Sequence, residues 1–325
     1  MTVFVIRRLL QSLLVVAVMS TLVFAGVYAI GNPIDILISP DATQAEYERA
    51  VQALGLDLPL WQQYGVFIQN MFDGNLGRSF IYNEPAIELI LARMPATLEL
   101  AAVALFLSIV VGIPLGLWAG LKPDSIAGRS IMVGSIFGFS LPNFWQGLIL
   151  IMIFSVMFDL LPAGGRGETA VFLGIESAIW TWDGLKHLIL PAINLALFKT
   201  SLVIRLTRAS VREVINLDYV KFARAKGVSE RRVIGVHVLK NIMIPVVTVL
   251  GLELGSMIAF AVVTETVFAY PGMGKLIIDS IFVLDRPVIV AYLAVIVVMF
   301  IIINLVVDIL YSIFDPRVRL ADTGR

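Results

Sequence analysis

A chain of 325 residues in which 59% are hydrophobic and 15% charged, with a mean hydropathy of +0.92, is too apolar for an ordinary water-soluble domain and reads as an integral membrane protein. Its 24 basic and 24 acidic residues cancel, so net charge gives no support for a nucleic-acid partner, and the sign of each loop becomes the informative quantity. The absence of cysteine excludes disulfides and thiolate chemistry, and the two histidines, His187 and His237, are too far apart in sequence to suggest a metal site.

Arg7 and Arg8 precede the apolar run Leu9 to Ile30, which is long enough to cross a hydrocarbon core of about 30 Å. A cleaved leader with Ala25 and Ala29 as small-residue sites is the competing reading. The run exceeds the usual apolar stretch of about 7 to 15 residues in such leaders, which favours an uncleaved first span. From Gly31 to Ala96, Asp35, Asp41, Glu46, Glu48, Asp57, Asp73, Glu84 and Glu88 outnumber Arg49, Arg78 and Arg93, so this segment belongs outside. Ala45 to Leu54 and Trp61 to Phe72 are helix-like, the breakers Gly55 and Pro59 separate them, and Asp73-Gly74-Asn75 is a turn signal.

Thr97 to Leu121 is expected as the second span. Gly112, Gly116 and Gly120 repeat at four-residue spacing, which gives a smooth stripe for close helix contact in preference to a gating hinge, and Pro114 should bend the helix. Lys122 and Arg129 mark a short inner loop before the third span, Ile131 to Leu160. That span is interrupted at Ser140-Leu141-Pro142-Asn143. The break either borders a transport path or is a local kink packed against neighbours, since freed backbone groups need protein or water around them. Asp159 to Lys186 suits the outer face, and its Gly164-Gly165 pair is too generic to be a phosphate loop. The fourth span is expected from Leu188 to Ile204, with Lys199 near its inner end snorkelling to the interface.

Between Ile204 and Lys240 the chain turns basic: Arg205, Arg208, Arg212, Lys221, Arg224, Lys226, Arg231, Arg232 and Lys240 stand against Glu213, Asp218 and Glu230. Beside membrane spans such a segment stays in the cytoplasm. It reads as two short helices, with Asp218 as N-cap and Gly227 as left-handed stop of the first, and Ser229 capping a second that runs towards Ile242. Tyr219, Phe222 and Ala223 share one face, and small Ala223, Ala225 and Gly227 would admit another surface close to the backbone. On charge alone, a solvated basic loop or one held against anionic lipid fits equally well.

Ile242 to Phe268 is the expected fifth span, kinked at Pro245. Glu253 lies about 16 Å in at about 1.5 Å per residue, the deepest acidic residue, and must face protein or water. It either stabilises a helix contact as a neutral or hydrogen-bonded carboxyl or lines a cargo path. Glu265, near the outer end, is less informative. The Gly-Lys pair in Tyr270-Pro271-Gly272-Met273-Gly274-Lys275 is not a nucleotide loop, because Ala269 replaces the required earlier glycine and Leu276 follows the lysine. Val288 to Phe314 is the sixth span, with Asn304 and Asp308 one turn apart, and Arg317 and Arg319 return the tail inside. No complete catalytic set nominates itself.

The run Ala223-Arg224-Ala225-Lys226-Gly227-Val228-Ser229, followed by His237, Asn241 and Pro245, resembles the cytoplasmic coupling loop of permease subunits in binding-protein-dependent ABC importers. It departs from the general form: Lys221 stands at the acidic position, Phe222 replaces the first alanine, and Lys240 replaces a proline. Those departures match the dipeptide, oligopeptide and nickel branch and its first (B-type) permease. Further blocks agree in order: Arg93 to Leu100, Gly112 to Gly116, Thr264 to Phe268, Pro271 to Gly274 and Asp315 to Arg319.

The resemblance implies an all-α integral membrane protein with the type I ABC importer permease fold, six transmembrane helices and an extracytoplasmic insertion between helices 1 and 2. Its expected parts are an N-terminal helix and extracytoplasmic segment (1–96), a permease core (97–316) with the coupling loop at 205–240, and a cytoplasmic tail (317–325). The implied function is import of peptides or similar small solutes by alternating access, in the bacterial plasma (inner) membrane with both termini cytoplasmic. Expected partners are membrane lipid, a second homologous permease, an extracytoplasmic binding protein and two ATPase subunits, which would bind the ATP and Mg; the chain itself is not an enzyme and holds no cofactor. Asp218, Tyr219, Phe222, Ala223, Arg224, Ala225, Lys226 and Gly227 are the expected coupling residues, with Glu253, Pro142 and Asn143 as candidates for the path. An ion-coupled secondary transporter and a non-transporting scaffold or receptor are the competing classes.

Overall fold

In the computed structural model, which describes residues 14–26, 43–53 and 56–314, the regular structure is helical apart from one short hairpin and an isolated bridge between Arg78 and Pro85. The expected residues Leu9 to Leu13, Val27 to Ala42 and Asp315 to Arg325 lie outside the described set, as does the side chain of Asp308. The helices are α1 Leu14–Gly26, α2 Gln44–Ala53, α3 Leu60–Phe72, α4 Ala86–Leu121, α5 Ile126–Ser140, α6 Asn143–Leu150, α7 Trp182–Val214, α8 Asp218–Ala225, α9 Leu239–Val267, α10 Met273–Phe282 and α11 Arg286–Phe314. A two-stranded antiparallel hairpin, β1 Ala170–Phe172 and β2 Ile175–Ser177, turns at Leu173 and Gly174, both at positive φ. Contacts divide the described chain into two units. One runs up to Met94 and takes in Lys275–Leu305; the other is Pro95–Gly274 with the residues from Val306 on.

In the first unit, α1 meets α3 through Ser20 and the Tyr64 hydroxyl, 2.9 Å apart, and through the edge of Phe24 on Tyr64. The Glu46 carboxylate reaches back over the N-terminus of α2 and accepts from both the backbone N–H and the hydroxyl of Thr43, one half of a capping box. The fully buried carboxylate of Asp285 accepts from the Ser79 hydroxyl and from the backbone N–H of Phe80, which pins the loop before α4.

The second unit is built around α7, 33 residues long and the most buried of the long apolar helices. The glycine stripe of α4 packs directly on it. A Cβ added at Gly112 would lie 2.7 Å from Val203, at Gly116 2.6 Å from Thr207, and at Gly120 2.7 Å from Val211. Real Cβ atoms do not approach that closely, so the four-residue spacing is a backbone contact. Ala96, Leu100 and Ala104 of α4 close one core with Leu188, Ala192 and Leu195 of α7 and Met257 and Ala261 of α9.

Helix α7 does not stop at Ile204. It continues to Val214, so Arg205, Arg208 and Arg212 ride on the helix and the basic loop is shorter than expected. The third apolar segment also differs from a simple interrupted span. Its halves, Ile126–Ser140 and Asn143–Met157, meet at 109°. Pro142 has no N–H to continue the ladder, and the Gln146 amide donates to the carbonyls of Gly138 (3.1 Å) and Leu141 (2.9 Å), satisfying groups the corner exposes.

Among the described residues three helices are long and apolar enough to cross a bilayer, Ala86–Leu121, Trp182–Val214 and Arg286–Val307, and two bent pairs raise the number to five if each is one span.

Candidate functional site

The expected coupling residues form α8 and its C-terminal turn. Leu217, not Asp218, occupies the N-cap; Asp218 is the first helical residue, where its charge faces the positive end of the helix dipole and its side chain pairs with Lys221. The stop is as the glycine demanded. Gly227 has φ +77°, its N–H reaches the Arg224 carbonyl at 2.9 Å, and the Val228 N–H reaches that of Ala223 at 3.2 Å. These two bonds are the Schellman arrangement, which needs a residue without a Cβ penalty at that position.

The expected face of Tyr219, Phe222 and Ala223 divides in two. Ala223 turns inward beside Val220 and packs with Val211, Val233, Val238 and Ile242, while Tyr219 and Phe222 remain exposed at 40% and 60%. Phe222 carries the Lys226 ammonium 4.5 Å above its ring. Arg224 donates to both carboxylate oxygens of Glu230, and those bonds raise the guanidinium pKa further. Ser229 occupies the N-cap of the short helical segment Glu230–Arg232 but makes no side-chain cap bond. The elbow is thus anchored on one side and presents aromatic rings and cations on the other, with Ala225 and Gly227 also exposed.

At the opposite end of α7 the sequence reading missed a buried polar core. Glu99 accepts from Arg166 (2.8 Å), the Ser177 hydroxyl (3.0 Å), the Ala178 N–H (3.1 Å) and the Tyr270 hydroxyl (2.7 Å). Burial first, and the Glu99 charge second, push the Tyr270 hydroxyl far above the usual phenol range. Arg166 stays charged because the Glu99 bond and charge outweigh the opposing effect of burial. Beside this core the fully buried Glu265 accepts from the Thr97 hydroxyl at 2.6 Å, and the same Thr97 oxygen accepts from the Met273 N–H at 2.8 Å. Gly272 and Gly274 lie against the Glu265 carboxylate with no room for a Cβ. The glycines resembling a nucleotide loop therefore wrap a carboxylate of their own chain. Gly164 and Gly165 likewise lie against the Phe268 carbonyl, which accepts from the Gly165 N–H at 2.9 Å.

Lys199 does not snorkel. Its side chain is 5% exposed and its ammonium bonds Glu253 and the Ser256 hydroxyl (2.7 Å), joining α7 to α9. Glu253 is thus a charged helix-to-helix contact, and among the described acids Glu99 and Glu265 are more buried. Pro142 and Asn143 line a cavity of about 320 Å³ with Phe139, Phe198, Lys199 and Phe260; Glu253 stands behind Lys199. The Asn143 side chain also meets Asn194 and Thr264. Only the spacing of Pro142 and Asn143 signalled this corner in advance; nothing local tied it to Lys199, more than fifty residues on.

Comparison with known proteins adds to this geometry. The family model "Binding-protein-dependent transport system inner membrane component" matches residues 112–320, and its N-terminal companion matches residues 1–101. The dipeptide transport system permease protein DppB of Escherichia coli K12 is 39% identical over a 333-residue alignment, covering 97% of this chain and 98% of that protein. The oligopeptide transport system permease protein AppB of Bacillus subtilis is 40% identical, covering 98% and 100%. Among solved structures, an inward-facing form of the MetNI methionine ABC transporter superposes with a TM-score of 0.54 at 15% identity, over 71% of this chain and 99% of that one. At that identity the likeness shows the fold.

Proposed function

Because this chain belongs to the binding-protein-dependent transport system inner membrane components, the multi-pass permease subunits of ABC importers, we propose that its cargo is a peptide or similar small solute and that α8 is the piece through which ATP hydrolysis moves it. ATP and Mg bind in two separate ATPase subunits, a second homologous permease completes the path, and a binding protein delivers cargo from outside. Six crossings leave both termini in the cytoplasm.

The observation that supports this reading is the two-sided build of α8. Its inner side, Val220 and Ala223, is fixed to α7 and to the start of α9, so a push on Tyr219, Phe222 or Lys226 is passed to the helices rather than absorbed in a loop. A ligand drives a switch only by favouring one state over the other, which requires such rigid transmission. ATP binding closes the ATPases, α8 moves with the groove that holds it, and the bundle passes from inward to outward opening.

The chain has no native cysteine, so Ala225→Cys supplies a single thiol. In working vesicles it should cross-link to an ATPase subunit, and Gly227→Glu should insert normally yet separate ATP hydrolysis from uptake. A thiol at position 225 that never captures an ATPase, or full cargo-stimulated hydrolysis and uptake with Gly227→Glu, would sink the assignment.

A further inference from the structure

The cavity at the α5–α6 corner has a composition that helix packing alone does not explain. Its wall combines three aromatic rings, Phe139, Phe198 and Phe260, with one cation, Lys199, and lies in the range of about 300 Å³ and upward typical of small-molecule sites. Gln146 is committed to the corner carbonyls and Asn143 to Asn194 and Thr264, so among the lining residues Lys199 alone brings charge.

The Lys199 end of this ion pair is buried, and taking an ammonium out of water is costly. Replacing such a pair by apolar side chains of similar volume is often neutral or stabilising. Lys199 and Glu253 are therefore poorly accounted for as a stabilising contact between α7 and α9. The ammonium has three hydrogens to donate, and Glu253 and Ser256 accept two of them. Its ammonium also lies 5.2 Å from the Phe198 ring centroid and 5.7 Å from that of Phe260. Phe198 stacks on Phe139 at 4.6 Å between centroids, and Arg205 covers Phe139 at 4.3 Å, so the aromatic wall is itself held in place.

We propose that this cavity is a cargo subsite for the carboxylate of a small zwitterionic solute, with Lys199 as its cationic ligand and Phe139, Phe198 and Phe260 as its apolar wall. Glu253 serves as the resident counter-ion: it orients the Lys199 ammonium while the site is empty, and shares it with the incoming carboxylate when it is filled. The subsite rests on the permease reading above and deepens it, because it names the chemical handle by which cargo is held inside this chain.

The test uses the complete transporter in lipid nanodiscs, with Ser140→Cys as a single thiol at the cavity edge. The probes are the dipeptide Phe-Ala and its C-terminal amide, which differ only in the carboxylate. Phe-Ala should slow thiol labelling at position 140 at concentrations at least tenfold lower than the amide. The paired variant Lys199→Gln with Glu253→Gln, which leaves no lone buried charge, should bring acid and amide to the same concentration, whereas Lys199→Arg should keep most of the difference. Equal protection by acid and amide in the parent, or a difference that survives the paired variant, overturns the subsite. So does protection that follows anionic lipid in the nanodisc rather than the dipeptide, since a lipid phosphate would then be the anion at Lys199. Dipeptide uptake separates the two levels: uptake that needs the chain alongside equal protection removes only the subsite, and uptake indifferent to loss of the chain removes both.

Discussion

At the Trp182 end of α7 the Glu99 carboxylate is buried and receives four donors from residues between 166 and 270. At the Val214 end Arg224 and Glu230, six residues apart, pair in the open, and aromatic rings face outward. The same helix thus joins a polar core gathered on one buried carboxylate to a surface that leaves its charged and aromatic groups exposed. The contrast teaches where each interaction is answered: the first gathers its partners from within the chain and ties together α4, the β1–β2 hairpin and the segment after α9, while the second leaves Tyr219, Phe222 and the cations around them facing outward.

The sharpest way to break the contrast is Glu99→Ala. It strands Arg166 and Tyr270 in a buried site and should cost about 3–5 kcal/mol, read as a large fall in the unfolding temperature of the solubilised protein. No loss there would mean that the polar core is not a structural fixture. Tyr270→Phe should cost about 1–3 kcal/mol, the value of a buried acceptor deprived of its donor. It should also change the response to pH. The Tyr270 hydroxyl is held above its usual range, and a free tyrosine ionises near pH 10, so its contribution is intact below about pH 10 and is lost as pH rises beyond it. Unfolding curves of parent and Tyr270→Phe should therefore converge at alkaline pH.

At the other end the effects shrink. Gly227→Ala meets no neighbour but forces a Cβ into the left-handed region, for about 1–2 kcal/mol. Hydrogen exchange at Gly227 and Val228, whose N–H groups close α8, should quicken. Glu230→Gln removes an exposed ion pair and should cost less than about 1 kcal/mol, with the loss vanishing at high salt. If Glu230→Gln proved as costly as Glu99→Ala, the distinction between the two ends would fail.

What the sequence made legible follows the range of the signal. The stop at Gly227 and the close approach along Gly112, Gly116 and Gly120 could be read ahead because a left-handed residue and a four-residue spacing are local statements. The extension of α7 is harder to read although Arg205, Arg208 and Arg212 recur at helical spacing, since charge after an apolar run marks the end of a span as readily as one face of a longer helix. Glu99 could not be found that way. Its partners lie 67 to 171 residues further on, and nothing near it marks it as more than one acid in an apolar run. Lys199 failed for the same reason: a lysine near the expected end of a span looks bound for the interface until Glu253, 54 residues later, is seen beside it.

The stripe of α4 glycines also sets how that helix can travel. With Val203, Thr207 and Val211 seated where no Cβ fits, a slip of α4 along α7 by anything short of a whole turn would drive branched side chains into filled space. Along that contact the two helices are therefore keyed together as a single girder.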